Sequence, residues 1–307
     1  MEALMYRSRT LANVMRFKYF YLMLIPVVVW YILFCYYPIY GLVMAFQDFS
    51  MGAGYWRSPW VGLKHFYELF RDAYFLRAFR NTAIIALQRL AFGSTFEIVL
   101  ALLLNEVRHI SFRKTVQTIV YLPHFLSWVI VASVFVTMLN PERGLIAPVF
   151  ALFGAKAPSL LTDASIFRPV LIVTDIWKSA GFATIIYVAA IAGIDPTLYE
   201  AAVIDGAGRW RQLWNVTLPG ISLTVTIMII IYIGQSMTWG FDQIYNLYNR
   251  LVYETGDIID TYIVRSVMGD NKFSYAAAAG MFRSVICTSL LLVANFLSKR
   301  LTGKGIF

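Results

Sequence analysis

Charge is what this sequence lacks. Only 14% of its 307 residues are Asp, Glu, Lys or Arg, whereas 59% are hydrophobic and the mean hydropathy is +0.65. Soluble domains carry about 25% charged residues, so a chain this poor in them reads as a polytopic membrane protein. Cysteine is almost absent: Cys35 and Cys287 both lie inside apolar runs, which leaves no disulfide framework or cysteine-built metal cluster. Histidine is as scarce, and His65, His109 and His124 are scattered, each reading as a loop or interfacial residue. The sequence contains no Gly-x-x-x-x-Gly-Lys-Ser/Thr loop, no His-Glu-x-x-His and no convincing nucleophile–base pair. Catalysis within the chain is therefore not expected, which disfavours a membrane-bound enzyme of polysaccharide assembly.

What is present is a series of apolar runs, each close to the roughly 20 residues that one membrane crossing needs. They fall at 19–46, 81–105, 115–139, 168–193, 218–239 and 274–298. The expected fold is all-α, with six transmembrane helices in one domain over 19–298, an N-terminal segment 1–18 and a tail 299–307. The first run is too long for the apolar core of a signal peptide, and no small-residue cleavage site follows it. Tyr19, Phe20 and Tyr21 at one end, and Tyr36, Tyr37 and Tyr40 toward the other, suit an aromatic belt. Between the first two runs, Phe66, Phe70 and Leu69 predict an amphipathic helix lying in the membrane interface.

Six crossings bring both ends to one side. Segments 1–18, 106–114, 194–216 and 299–307 carry twelve Lys and Arg in 59 residues, against ten in the 96 residues of 47–80, 140–167 and 240–273. The positive-inside rule puts the first set, with both termini, in the cytoplasm. The net charge of +9 is then mostly topology and attraction to membrane lipid, not a nucleic-acid footprint.

The cytoplasmic stretch 195–219 is the most organised of these segments. Asp195 is placed to cap a helix that Pro196 begins, where its missing N–H does no harm. Glu200, Ala201, Ala202, Val203 and Ile204 continue it, and Gly206 supplies a left-handed residue to end it. Trp210, Leu213 and Trp214 follow at helical spacing, which predicts two short helices broken at a glycine. Leu218-Pro219 then opens the fifth span.

The spacing Glu200-Ala201-Ala202, three residues, Gly206, nine residues, Val216, one residue, Leu218-Pro219 resembles the EAA loop of ATP-binding-cassette importer permeases. Only the family's Ile is altered, to Val216. The fuller form, with Asp205, Gly206, Ala207 and Trp210, is similar to the carbohydrate-uptake branch that includes the maltose permeases. Residues 60–66 and Tyr121-Leu122-Pro123 resemble that branch as well, and 241–249 and 301–307 resemble, within it, permeases for alginate-type and rhamnogalacturonan-type oligosaccharides. The resemblance implies a MetI-like permease fold in a bacterial cytoplasmic membrane. It implies as partners a second, related permease, two ATP-binding subunits, an extracytoplasmic solute-binding protein and an oligosaccharide substrate. ATP and Mg would be held by the ATP-binding subunits, with no cofactor on this chain. In such complexes the loop forms coupling helices that dock into a cleft of the ATPase. Glu200 would supply a charge-assisted contact there, Ala201 and Ala202 a slim helix, and Gly206 the bend.

Charges within spans are costly and mark candidate functional residues. Asp175 and Lys178, three apart with Trp177 between them, share a helix face and can pair. Arg89 and Glu97 are two turns apart and face the same way. Arg283 would meet an acidic sugar or pair with one of these carboxylates. Gln235, Trp239, Gln243 and Asn246 bring amides and aromatics to the outer end of the fifth span, as sugar recognition requires, although an aromatic belt has a similar composition. A self-contained secondary transporter or channel for sugars is the competing reading, and it would tolerate changes in the 195–219 loop.

Overall fold

A computed structural model of the chain describes residues 16–303. The N-terminal segment expected at 1–18 is outside this range except for its last three residues, and so are residues 304–307 of the tail. The helices that organise the fold are α1 (Lys18–Phe46), α2 (Lys64–Arg71), α3 (Ala73–Glu106), α4 (Ile110–Phe125), α5 (Trp128–Met138), α6 (Phe167–Ala192), α7 (Pro196–Ile204), α8 (Arg209–Gln235), α9 (Phe241–Leu247), α10 (Ile259–Met268) and α11 (Phe273–Thr302). Among the described residues, extended pairing is confined to an isolated bridge between Gln47 and Trp60.

Five helices, α1, α3, α6, α8 and α11, are long and apolar enough to cross a membrane. The expected third span is not a single helix: α4 and α5 meet at 103° and make a sixth crossing only as a bent pair. Pro123 tightens the end of α4, Leu126 and Ser127 are extended, and the Ser127 hydroxyl accepts from the Ile130 amide to start α5 afresh.

The long α3 is the spine. It starts before the apolar run that betrays it, because the Asp72 carboxylate caps it by accepting from the Tyr74 amide at 2.7 Å. Its first turns, through Phe75 and Ala78, pack on Ala45, Leu69, Ile259, Tyr262, Ala278 and Ala279. Its middle, at Ile85, meets Ala132, Phe167, Leu171, Ile244 and Leu247. Its last third, at Ala101, joins Tyr187, Ile191, Ile221, Met228 and Tyr232. Asp72 also accepts hydrogen bonds from the hydroxyls of Tyr262 and Tyr275, which ties α3 to α10 and α11. Burial pushes the Asp72 carboxyl up, but the bonds from Tyr262, the Tyr74 amide and Tyr275 outweigh it and hold the group below the usual carboxylate value.

The helix expected to lie in the interface, α2, packs on protein along one face and leaves Tyr67 and Phe70 exposed. His65 and Leu69 are buried, Phe66 lies 5.6 Å from Phe46, and Phe70 meets Phe282 edge-on at 5.1 Å. A hydrophobic stripe on a short helix does not distinguish a lipid neighbour from a protein one. In α1 the opposite holds: its most apolar window buries nothing against the rest of the chain.

Four spans are interrupted by one wide π turn each, at Ile32–Tyr36 in α1, Arg89–Gly93 in α3, Ile176–Ala180 in α6 and Leu213–Thr217 in α8. Such turns insert a residue into the helix and re-aim the side chains around them.

Candidate functional site

Two places on the chain hold the residues that the sequence singled out. The first is the 195–219 loop. Asp195 caps α7 by accepting from the Thr197 amide at 2.9 Å. The helix ends in a Schellman motif, with Ala207 N–H on Ala202 O at 2.8 Å, Gly206 N–H on Val203 O at 3.0 Å, and Gly206 at φ +72°. The second part differs from expectation. Arg209–Gln212 is not a separate short helix, because it runs through the π turn into the fifth span as one continuous α8. The π turn ends just before Leu218-Pro219 and absorbs the hydrogen bond that Pro219 cannot make.

Little inside the chain covers this loop. Val203, Ile204 and Trp210 are 62%, 85% and 71% exposed, Leu198 and Trp214 are exposed as well, and Glu200 and Asp205 face outward. Large apolar side chains clustered on an exposed, rigid element mark an interaction surface. The loop is held to its own bundle by Tyr199 Oη on Thr217 Oγ1 at 3.0 Å, by Gln212 Nε2 donating to Ala207 O at 2.9 Å, and by an exposed Arg209–Glu106 ion pair at 3.3 Å.

The second place is a buried polar cluster between α3, α6 and α9. Asp175 does not pair with Lys178 as its spacing allows. It faces Arg89 at 2.8 Å, and both side chains are almost fully buried. Each stands at a π turn, Arg89 opening the one in α3 and Asp175 preceding the one in α6, and these turns rotate the two groups toward each other. Gln243 is also completely buried, and accepts from Arg89 through Oε1 while donating to Leu171 O and Thr174 Oγ1, each at 2.7 Å. Its amide therefore braces the arginine and is not presented to a passing sugar. Gly240, at φ +91°, lies against the guanidinium, where any Cβ would collide with Arg89. Lys178, freed from Asp175, donates to the His124 carbonyl at 3.0 Å and lies over the Trp128 ring.

The remaining candidates separate. Arg283 forms an ion pair with Asp260, not with Asp175 or Glu97. Glu97 accepts from Tyr232 Oη at 2.8 Å and does not share a partner with Arg89. Trp177 is edge-on to Phe135 at 5.3 Å and lines an apolar groove with Phe96, Ile119 and Pro123. Asn246 is exposed, and its amide donates to Asp242 O at 2.7 Å. Gln235 and Trp239 do come together, in a 290 Å³ cavity whose walls also include Trp128, Thr238, Phe241 and Asp242. Trp128 carried no signal in the sequence beyond its place one residue after the helix-capping Ser127.

The comparisons agree with this architecture. The family described as binding-protein-dependent transport system inner membrane component matches residues 93–303. The polygalacturonan/rhamnogalacturonan transport system permease protein YteP of Bacillus subtilis (strain 168) is 42% identical over 98% of this chain and 94% of its own. Protein LplB of the same organism is 38% identical over 97% and 93%. The crystal structure of a bacterial ABC transporter involved in the import of the acidic polysaccharide alginate contains a chain that superposes with a TM-score of 0.89. That chain is 41% identical, and the match covers 96% of this chain and 99% of the other. A second structure, of a bacterial alginate ABC transporter in complex with alginate pentasaccharide-bound periplasmic protein, gives a TM-score of 0.88 at 40% identity over the same shares. The chain belongs to the family of inner membrane components of binding-protein-dependent transport systems.

Proposed function

We propose that this protein is a permease subunit of an ATP-driven importer that carries acidic oligosaccharides, derived from pectin- or alginate-like polysaccharides, across a bacterial cytoplasmic membrane. The substrate class is supported by relatives and solved structures named for polygalacturonan, rhamnogalacturonan and alginate. The coupling role is carried by one observation: the exposed Leu198, Val203, Ile204, Trp210 and Trp214 around Glu200, on a loop locked by its Schellman turn. In this reading the loop, with Ala201, Ala202, Asp205, Ala207, Leu218 and Pro219 shaping it, docks onto an ATP-binding subunit. Two such subunits hydrolyse ATP with Mg, and this chain binds no cofactor and performs no catalysis. A second, related permease covers the apolar faces that α1 leaves bare and encloses the path with this chain. A solute-binding protein delivers the sugar from the opposite side. Residues 1–18 and 299–307 are cytoplasmic, as the density of Lys and Arg favours.

Co-purification from the native membrane tests the reading. The expected result is a complex with a second permease and ATP-binding subunits, whose ATP hydrolysis rises with binding protein loaded with oligogalacturonate, oligorhamnogalacturonate or oligoalginate. A chain that moved sugar without any ATP-binding subunit would overturn it.

A further inference from the structure

A groove between α3, α4 and α6 has no part in the 195–219 loop or in the polar cluster around Arg89. It measures 540 Å³ and has apolar walls: Phe96 and Leu100 from α3, Ile119 and Pro123 from α4, Trp177 and Gly181 from α6. Gly181 lets α6 and α4 touch backbone to backbone, because a Cβ there would strike the Val120 carbonyl. Phe96, Ile119 and Trp177 are exposed, so the groove opens sideways off the chain and is not an internal void. Side chains that offer no hydrogen bond suit neither a sugar nor an ion. They suit hydrocarbon.

The apolar lining continues toward one end of the two helices. Leu103 follows Phe96 and Leu100 on one face of α3, and Phe112 and Val116 precede Ile119 on one face of α4. Both stripes lead to segment 106–114, where α3 ends and α4 begins. Its single acid, Glu106, is taken by Arg209 at 3.3 Å. Arg108, Arg113 and Lys114 have no acidic partner among the described residues, and Arg108 and Lys114 are exposed. At 1.5 Å per residue, Leu100 and Ile119 lie about 9 Å from Glu106 and Arg113 along their helices, and Phe96 and Pro123 about 15 Å. That is the depth of one leaflet in a hydrocarbon core about 30 Å thick.

We propose that this groove holds an acyl chain of an anionic glycerophospholipid of the cytoplasmic leaflet, with Arg108, Arg113 and Lys114 gathered on its phosphate. Basic residues beside a span attract negative headgroups on the cytoplasmic side, and the apolar walls begin at the depth where the acyl chain does. A helix of the second permease would cover the walls but leave three cations uncompensated. An anionic lipid answers both ends at once. The inference rests on the cytoplasmic placement of 106–114 proposed above, and not on which sugar is carried.

The test uses the purified importer in lipid nanodiscs, with Cys35 and Cys287 replaced by serine and Ile119→Cys carrying a bimane fluorophore in the groove. Quenching is measured with phosphatidylglycerol or phosphatidylcholine brominated in mid-chain. Phosphatidylglycerol is expected to reach half-maximal quenching at a mole fraction at least about tenfold lower. The combined Arg108→Gln, Arg113→Gln and Lys114→Gln variant is expected to bring the two lipids within about twofold. Equal quenching by both lipids in the parent complex overturns the proposal, as does a preference that the combined variant keeps. No quenching by either lipid shows that another helix, such as one of the second permease, fills the groove, and overturns it too. Should the combined variant fail to assemble, Lys114→Gln alone, at an exposed position, is expected to weaken phosphatidylglycerol quenching about fivefold. An unchanged value there sinks the headgroup site. Labelling of Lys114→Cys in sealed cells by a thiol reagent that cannot membranes would overturn the cytoplasmic placement, and the choice of leaflet with it. The transport reading is decided separately, by the co-purification experiment, and survives any loss of lipid selectivity.

Discussion

Arg89 and Asp175 form a buried ion pair, 2.8 Å apart, between two spans that each open into a π turn at that level. The pair is braced by Gln243 from a third element and closed off by Gly240. Taking two charges out of water is costly, and the arrangement is favourable only while both remain. Arg89→Met or Asp175→Leu alone should therefore destabilise the protein by about 3–5 kcal/mol. The double substitution should recover most of that loss. Thermal unfolding of the detergent-solubilised complex measures both, and a double variant no more stable than the singles would show that the pair is not the relevant unit.

The 195–219 loop gives a prediction of the opposite kind, in which folding survives and function does not. Gly206 has φ +72° with open space where a Cβ would point. Gly206→Asp should cost the isolated fold only about 1–2 kcal/mol for the left-handed backbone, yet obstruct a close-fitting partner. Glu200→Lys reverses the charge offered to that partner without touching the core. Both variants should insert normally and lose ATP-dependent uptake, as read by membrane yield and sugar accumulation. Normal uptake and ATPase association in the combined variant would show that the loop does not couple.

Tyr199 and Thr217 fasten the loop to α8 through a 3.0 Å hydroxyl contact. Removing it with Tyr199→Phe should cost about 1 kcal/mol. ATPase subunits should still bind, because the exposed apolar anchors are untouched. The quantity expected to fall is sugar moved per ATP hydrolysed, measured in proteoliposomes.

Asp72 supplies a pH dependence with a definite sign. Its folded carboxyl titrates below its unfolded value of about 3.9, since the Tyr262, Tyr74 and Tyr275 bonds outweigh burial. A group lowered on folding contributes stability that is complete above its unfolded pKa and disappears as pH falls through the folded one. Asp72→Asn should therefore be less stable than wild type at pH 7, by about 1 kcal/mol given that the carboxyl is only partly buried. The difference should shrink below pH 4. Melting curves at both pH values decide it.

The 195–219 loop was legible in the sequence because it is made locally. A cap, a helix, a glycine and a Leu-Pro pair act on neighbours within 25 consecutive positions, 195–219, and each carries its own residue preference. The spans were legible as apolar runs, though their ends were not: α3 begins at a cap that lies among charged residues, before the apolar stretch. The cavity was half legible. Gln235 and Trp239 are near neighbours, but Trp128 reaches them from another helix, whose start is set by the bend at Leu126–Ser127. Periodicity counted on an unbroken 3.6-residue helix sets Asp175 beside Lys178. One inserted residue sends it to Arg89. Gln243 looked like a sugar ligand for a similar reason, since composition reports an amide but not the direction it faces.

The continuity of α8 has a mechanical consequence. Its 27 residues from Arg209 to Gln235 span about 40 Å at 1.5 Å per residue, with the exposed Trp210 at one end and the two-tryptophan cavity at the other. A rigid helix of that length is a lever. Tilting it by about 10° about its Trp210 end carries the far end through about 7 Å, roughly the thickness of a sugar ring and its first water layer. Movement imposed at Trp210 would thus arrive at Gln235 as an opening or closing of the cavity wall.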